Sequence, residues 1–91
     1  MKEYILITGA SSGIGYEMAQ QLAAKKFNLI LVARSGFMLD RIKNKLSTKH
    51  NIEVISIQKD LSNPHNAMDL LHEIKSNAFT VSNLVNNAGF G

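Results

Sequence analysis

The stretch Thr8-Gly9-Ala10-Ser11-Ser12-Gly13-Ile14-Gly15 decides the fold. Before it stands Tyr4-Ile5-Leu6-Ile7, an apolar run that reads as a buried strand. After it Ile14, Met18 and Leu22 recur four apart, the spacing of one helical face. A strand, a glycine-rich turn and a helix in that order make an anion site, because a helix start carries unpaired N–H groups and a positive dipole end. In such a turn Gly9 lets the chain leave the strand sharply, Gly13 lets a pyrophosphate approach bare backbone, and Gly15 lets the helix pack closely on the sheet. The spacing is G-x-x-x-G-x-G rather than G-x-G-x-x-G, and no Gly-Lys-Ser/Thr follows to make a P-loop. A purely structural turn is the alternative, but the flanking strand and helix favour a nucleotide phosphate.

Size and composition bound the rest. At 91 residues the chain holds at most one domain. Its apolar share of 45% and charged share of 19% suit a globular α/β domain and argue against disorder. The net charge of +3 is spread along the chain, and Lys25-Lys26 is the longest basic run, so a nucleic-acid partner is not expected. An anionic small ligand fits the same balance. With no cysteine there is no disulfide framework, thiolate nucleophile or cysteine metal site. The chain enters its first strand after Met1-Lys2-Glu3, which leaves no room for a signal peptide, and no apolar run approaches membrane-spanning length. The expectation is a cytoplasmic protein without a membrane partner.

In chain order, the first strand is expected from Glu3 to Thr8 and the first helix from Gly13 to Lys26, with Lys25 and Lys26 at its negative end. Asn28-Leu29-Ile30-Leu31-Val32-Ala33 is a second strand, continuously apolar and so covered on both faces. Ser35 is a possible N-cap for a helix carrying Met38, Ile42 and Leu46 on one face and Asp40, Arg41, Lys43, Lys45 and Lys49 on a solvated one. Ile52 to Ile57 reads as a third strand at a less buried edge. Ser62 or Asn63 caps the next helix, Pro64 starts it, and Ala67, Leu70, Leu71, Ile74 and Ala78 form its buried stripe. Val81 to Val85 is a fourth strand, followed by Asn86-Asn87-Ala88-Gly89. Strands and helices thus alternate at βαβ spacing, and right-handed crossovers give a doubly wound parallel sheet of order 3-2-1-4. A ligand belongs at the carboxyl edge, where Gly9–Gly15, Ala33–Ser35 and Asn86–Gly89 should meet beside Asp60.

Four motifs together resemble one family. Thr8 to Gly15, Ala33-Arg34-Ser35, Asp60-Leu61 and Asn86-Asn87-Ala88-Gly89 stand in the order and spacing of the short-chain dehydrogenases/reductases, over essentially all 91 residues. The resemblance implies a Rossmann-type fold, an NAD or NADP cofactor, and hydride transfer to or from carbonyls and alcohols. It also implies that Gly9, Ser11, Ser12, Gly13, Ile14 and Gly15 line the pyrophosphate and adenosine ribose. Asp60 and Leu61 would hold the adenine edge, Asn86, Ala88 and Gly89 would lie against the riboses, and Asn87 would brace the central strands.

The end of the second strand separates the two cofactors. NAD sites usually place a carboxylate there for the ribose 2′-hydroxyl. Here Ala33 repels nothing, and Arg34 follows, whose guanidinium can grip a 2′-phosphate in a bidentate way. Ser35 and Ser12 could add hydroxyl donors. NADP is therefore expected over NAD. The dispersed His50, His65 and His72 read as surface residues, so neither a metal site nor a histidine catalyst is expected. Asp40 and Glu73 read as solvated. Tyr4 precedes the buried part of the first strand.

The family's chemistry depends on a serine and a Tyr-x-x-x-Lys pair, in which the lysine lowers the tyrosine pKa. Here Thr8 stands four after Tyr4, and Gln20 four after Tyr16, so no residue is assigned a catalytic role. The expectation is an incomplete dinucleotide-binding domain over residues 1–91, the N-terminal portion of a longer NADP-dependent oxidoreductase. The alternative is a non-catalytic nucleotide-binding module on the same scaffold. A nucleotide-sugar epimerase would show T-G-x-x-G-x-x-G, and a methyltransferase an acid in place of Ala33. With the fourth strand unpaired, Leu84 and Val85 would form an apolar edge through which the chain associates with itself.

Overall fold

The structure is a computed structural model that describes residues 2–11 and 13–86. Strand β1 (Glu3–Thr8), helix α1 (Gly13–Ala24), strand β2 (Asn28–Ala33), helix α2 (Gly36–His50), strand β3 (Val54–Gln58), helix α3 (Pro64–Ser76) and strand β4 (Thr80–Asn86) alternate along the chain. The strands form one parallel sheet in the order β3-β2-β1-β4. This is the doubly wound, Rossmann-type arrangement expected from the βαβ spacing.

Alternate strand residues serve opposite faces. Ile5, Ile7, Leu29, Leu31, Ala33 and Val54 form one core with α1 and α2. Tyr4, Leu6, Ile30, Val32 and Ile57 form the other with α3. The asymmetry follows from crossover handedness. β1 to β2 to β3 steps outward in one direction, while β3 to β4 returns past β1, so α3 must cross on the other side.

The helix faces differ from the expected ones. In α1 the buried residues are Gly15, Ala19 and Ala23, while Ile14 is 70% exposed and Met18 and Leu22 are half-buried. The period of four is kept, but the buried face is rotated by one residue. Small side chains bring this helix axis close to the sheet, and the larger neighbours are displaced to its flank. In α2 Leu39, Ile42 and Leu46 are buried and Met38 is exposed. In α3 only Leu70 and Ile74 are buried, and Ala67 and Leu71 stay exposed. Among the described residues α3 alone covers its face, so the margins of its stripe have nothing to pack against.

The element ends also shift. α1 ends at Ala24 rather than Lys26, because Lys26 takes a left-handed conformation (φ 71°). Phe27 N then donates to Leu22 O (3.2 Å) and Lys26 N to Ala23 O (2.9 Å). This is a Schellman closure, usually built on glycine. Ala78 (φ 56°) closes α3 in the same way, with Phe79 N on Ile74 O (3.2 Å), and so is exposed rather than part of the buried stripe. β3 starts at Val54 instead of Ile52, because Asn51 ends α2 at φ 54°. Asn63, not Ser62, caps α3, accepting from His65 N at 2.9 Å, and Pro64 occupies the first turn. Tyr4 is buried at 4% exposure, packed edge-on against Phe79 with ring centroids 5.4 Å apart. Asp40 and Glu73 are not merely solvated. Ser56 Oγ donates to Asp40 (3.2 Å), and Lys59 pairs with Glu73 (3.6 Å).

Candidate dinucleotide site

Among the described residues the carboxyl ends of β1, β2 and β3 lead into the expected loops, and the end of β2 draws these together. Its last carbonyls are bonded from both sides. Ala10 N, in the glycine-rich turn, donates to Val32 O at 3.1 Å, and Lys59 N, just past β3, donates to Ala33 O at 2.9 Å. The next carbonyl, Arg34 O, accepts from Gln58 Nε2 at 3.0 Å. The first turn, the β2–α2 loop and the segment leading to Asp60 are thereby tied to one backbone stretch.

The glycine-rich turn departs from β1 through Gly9 at φ 64°, and α1 begins at Gly13 at φ 58°. Both values lie where a side chain would be strained. A Cβ built on Gly13 has no atom within 4 Å beyond its chain neighbours, so the space over that backbone is open. Gly15 is buried against the sheet, while Gly13 and Ile14 are exposed and Ser11 is half-buried. An exposed Ile14 beside open glycine backbone is suited to line a ligand rather than the core. Ser12 lies outside the described residues.

On the β2 side Ala33 is buried and Arg34 and Ser35 are exposed. Ser35 caps α2, its Oγ accepting from Met38 N at 3.3 Å. That bond uses an acceptor lone pair and leaves the hydroxyl proton available. On the β3 side Asp60 is exposed and Leu61 half-buried, packed against the α3 core. Ser62 Oγ (2.6 Å) and Ser62 N (3.0 Å) both donate to Asp60 Oδ1. The Ser62 hydroxyl and then its N–H hold the Asp60 carboxyl below the ordinary carboxylate value. Slight desolvation opposes them, and the Arg34 charge adds a smaller pull in the same direction. Arg34 and Asp60 therefore feel each other across the site.

On the β4 side Thr8 Oγ1 donates to Asn86 Oδ1 at 3.0 Å, with Val85 O at 3.4 Å. Thr8 is buried, and its register partner in β4 is Asn86. The expected brace at Asn87, and the candidate residues Ala88 and Gly89, lie outside the described residues. Thr8 and Gln58 were not singled out from sequence. A hydroxyl ending an apolar strand was a usable signal for Thr8. Nothing local marked Gln58, whose partner is 24 residues away. No group of histidine, aspartate or glutamate among the described residues could hold a metal ion, and none of their helices is long and apolar enough to cross a membrane.

Residues 3–91 match the sequence model of one protein family, described as short chain dehydrogenase. The chain belongs to that family. Among curated relatives it is 39% identical over 90 residues to a very-long-chain 3-oxoacyl-CoA reductase of Vanderwaltozyma polyspora, covering 94% of this chain and 25% of the relative. It is 38% identical to an 11-beta-hydroxysteroid dehydrogenase of Pinus massoniana, covering 96% of this chain and 24% of that one. The chain thus spans about a quarter of the length of these relatives. Among solved structures, L-sorbose reductase from Gluconobacter frateurii, complexed with NADPH and L-sorbose, superposes with a TM-score of 0.88 at 31% identity, over 99% of this chain and 34% of that one. The bulky-bulky ketone specific alcohol dehydrogenase from Comamonas testosteroni gives 0.86 at 33%, over 97% and 35%.

Proposed function

We propose that this chain is the dinucleotide-binding part of an NADP-dependent oxidoreductase acting on a carbonyl or alcohol. When bound, the nicotinamide cofactor supplies or accepts the hydride. The chain's own residues bind and orient it. The open backbone at Gly13, with Gly9, Ser11, Ile14 and Gly15, would receive the pyrophosphate at the positive end of the α1 dipole. Ser12 belongs to this set by its place in the motif. Asp60 stays ionised, with Oδ1 held by Ser62 and Oδ2 receiving neither of those bonds, so it can accept from an adenine amine beside Leu61. Asn86, whose side chain accepts from Thr8, would lie against a ribose, together with Ala88 and Gly89 by their place in the same motif.

The observation that carries the choice of NADP is the end of β2. Ala33 offers no carboxylate, and the exposed Arg34 follows it on a loop tied to both neighbouring strands. A guanidinium there matches the geometry and charge of a 2′-phosphate, and Ser35 can donate a further hydroxyl. The NADPH bound by the sorbose reductase supports the same choice.

Titration of NADPH and NADH against the chain tests this. NADPH should bind at least tenfold more tightly. Arg34→Ala should weaken NADPH by about tenfold to a hundredfold, the effect of a charge-assisted bond of ~1.5–3 kcal/mol, and leave NADH within twofold. An unchanged preference would remove Arg34 from this role. Failure to bind either nucleotide would remove the site.

A further inference from the structure

The β2–α2 loop carrying Arg34 is held at one further point, and the use made of it rests on the NADP reading above. The backbone ladder between β2 and β3 runs to the Ala33–Gln58 pair, with Lys59 N closing on Ala33 O. Arg34 O lies one carbonyl beyond the ladder's reach. The Gln58 side chain takes over there, its Nε2 donating to Arg34 O at 3.0 Å. The other end of the same amide rests on Gly36. A Cβ built at Gly36 would stand 2.5 Å from Gln58 Oε1 and 3.1 Å from Cδ. Gly36 has no positive φ, so its backbone conformation does not call for glycine. The three atoms nearest to that Cβ all belong to Gln58, so the absence of a side chain makes room for its amide.

We propose that Gln58 and Gly36 form a latch that positions Arg34 for the 2′-phosphate, which makes Gln58 a positioning residue for coenzyme selectivity. The physical argument is one of order. An exposed arginine on a free loop loses part of its phosphate-binding energy to the immobilisation of its own backbone. A loop already fixed at Val32 O, Ala33 O and Arg34 O presents the guanidinium with less to lose. The latch reaches the ligand only through Arg34, so on this reading it acts on NADPH and not on NADH. It is also one-sided. A methyl group at Gly36 displaces the flexible Gln58 amide more easily than it moves backbone, which breaks the bond to Arg34 O without unfolding the domain.

The test is a double-mutant cycle on the dissociation constants of NADPH and NADH, using the chain with Gln58→Ala, Gly36→Ala and both together. Each single variant should lower the NADPH preference about threefold to tenfold, the worth of one hydrogen bond, with NADH unchanged. The double variant should be no worse than Gln58→Ala, because the truncated side chain at position 58 leaves the added methyl group free space. In the ligand-free chain, 15N order parameters of the Ser35 and Gly36 amides should fall in both single variants. Gln58→Met, which fills the same volume without a donor, should behave as Gln58→Ala and guards against loss of packing. If Arg34→Ala lowers the preference but all three latch variants keep it, the latch is refuted and the NADP reading stands. Additive losses in the double variant, or equal weakening of NADPH and NADH, would also refute it. If the parent chain shows no NADPH preference, the NADP reading fails and the latch falls with it.

Discussion

The two ends of this one parallel sheet are built on opposite plans. At the amino end side chains close on each other. Tyr4 stacks on Phe79 and donates its hydroxyl to Glu53, Lys2 reaches the same carboxylate at 2.7 Å, and Asn28 Oδ1 accepts from Glu53 N at 3.0 Å. β1, β2, the approach to β3 and the approach to β4 are joined through this group. At the carboxyl end the bonds from Ala10, Lys59 and Gln58 end on β2–α2 backbone instead, and Thr8 joins the Asn86 side chain. Glycine backbone, Arg34 and Asp60 are left exposed there. The amino end joins the strands through side chains, and the carboxyl end holds the loops in place while Arg34 and Asp60 stay exposed to solvent.

The sharpest way to break that contrast is to damage the amino end and read both properties. Tyr4→Ala removes a buried ring, its stack on Phe79 and its bond to Glu53. It should cost about 3–5 kcal/mol, read as a lower urea midpoint. Nucleotide preference in the remaining folded fraction should not change. If the NADPH-to-NADH ratio collapsed with the midpoint, the two ends would not be separable. Arg34→Ala is the mirror experiment, with a large loss in NADPH affinity and a midpoint shift worth no more than about 0.5 kcal/mol.

A smaller effect, of opposite sign, is expected at the helix closures that feed the amino end. Ala78 stands at φ 56°, where an L side chain is strained by roughly 1 kcal/mol relative to glycine. Ala78→Gly should therefore stabilise the chain by about 0.5–1 kcal/mol, offset in part by the freer unfolded chain. Calorimetry should show a raised midpoint with unaltered nucleotide binding. A lowered midpoint would mean that the left-handed turn is not populated.

What could be read from sequence follows the same divide. β1 and β2 were legible to the residue, because continuous apolar runs such as Leu29-Ile30-Leu31-Val32 have one place to go in a parallel sheet. The strand order followed from crossover handedness. The helix faces were misjudged where large residues were followed and small ones did the packing, as with Ile14 against Gly15, Ala19 and Ala23. Leu71 was misjudged because its face of the sheet is covered by one helix only among the described residues. Lys26 and Ala78 gave no turn signal, since glycine is the usual mark of a left-handed closure. The glycines at 9 and 13 were legible because their left-handed backbone demands that type. The role of Gln58 and the special need for glycine at 36 were not, because each depends on a partner brought near only by folding.

The smallest effect belongs to the carboxyl end and concerns protons. Asp60 is fully exposed, and Ser62 holds its carboxylate with a hydroxyl and an N–H. Its pKa is therefore lower in the folded chain than in the unfolded one. A group depressed in this way adds stability that is complete above the unfolded value, ~3.9, and is lost as pH falls through the folded value. Asp60→Asn keeps an acceptor oxygen for Ser62 but not the charge. Urea midpoints of the two chains should differ slightly at pH 7 and 5, with Asp60 the more stable, and converge below about pH 4. Salt should shrink the part of the difference that comes from Arg34, since both groups face water. A gap that stayed constant down to pH 3 would show that the turn at Asp60 does not depend on its charge.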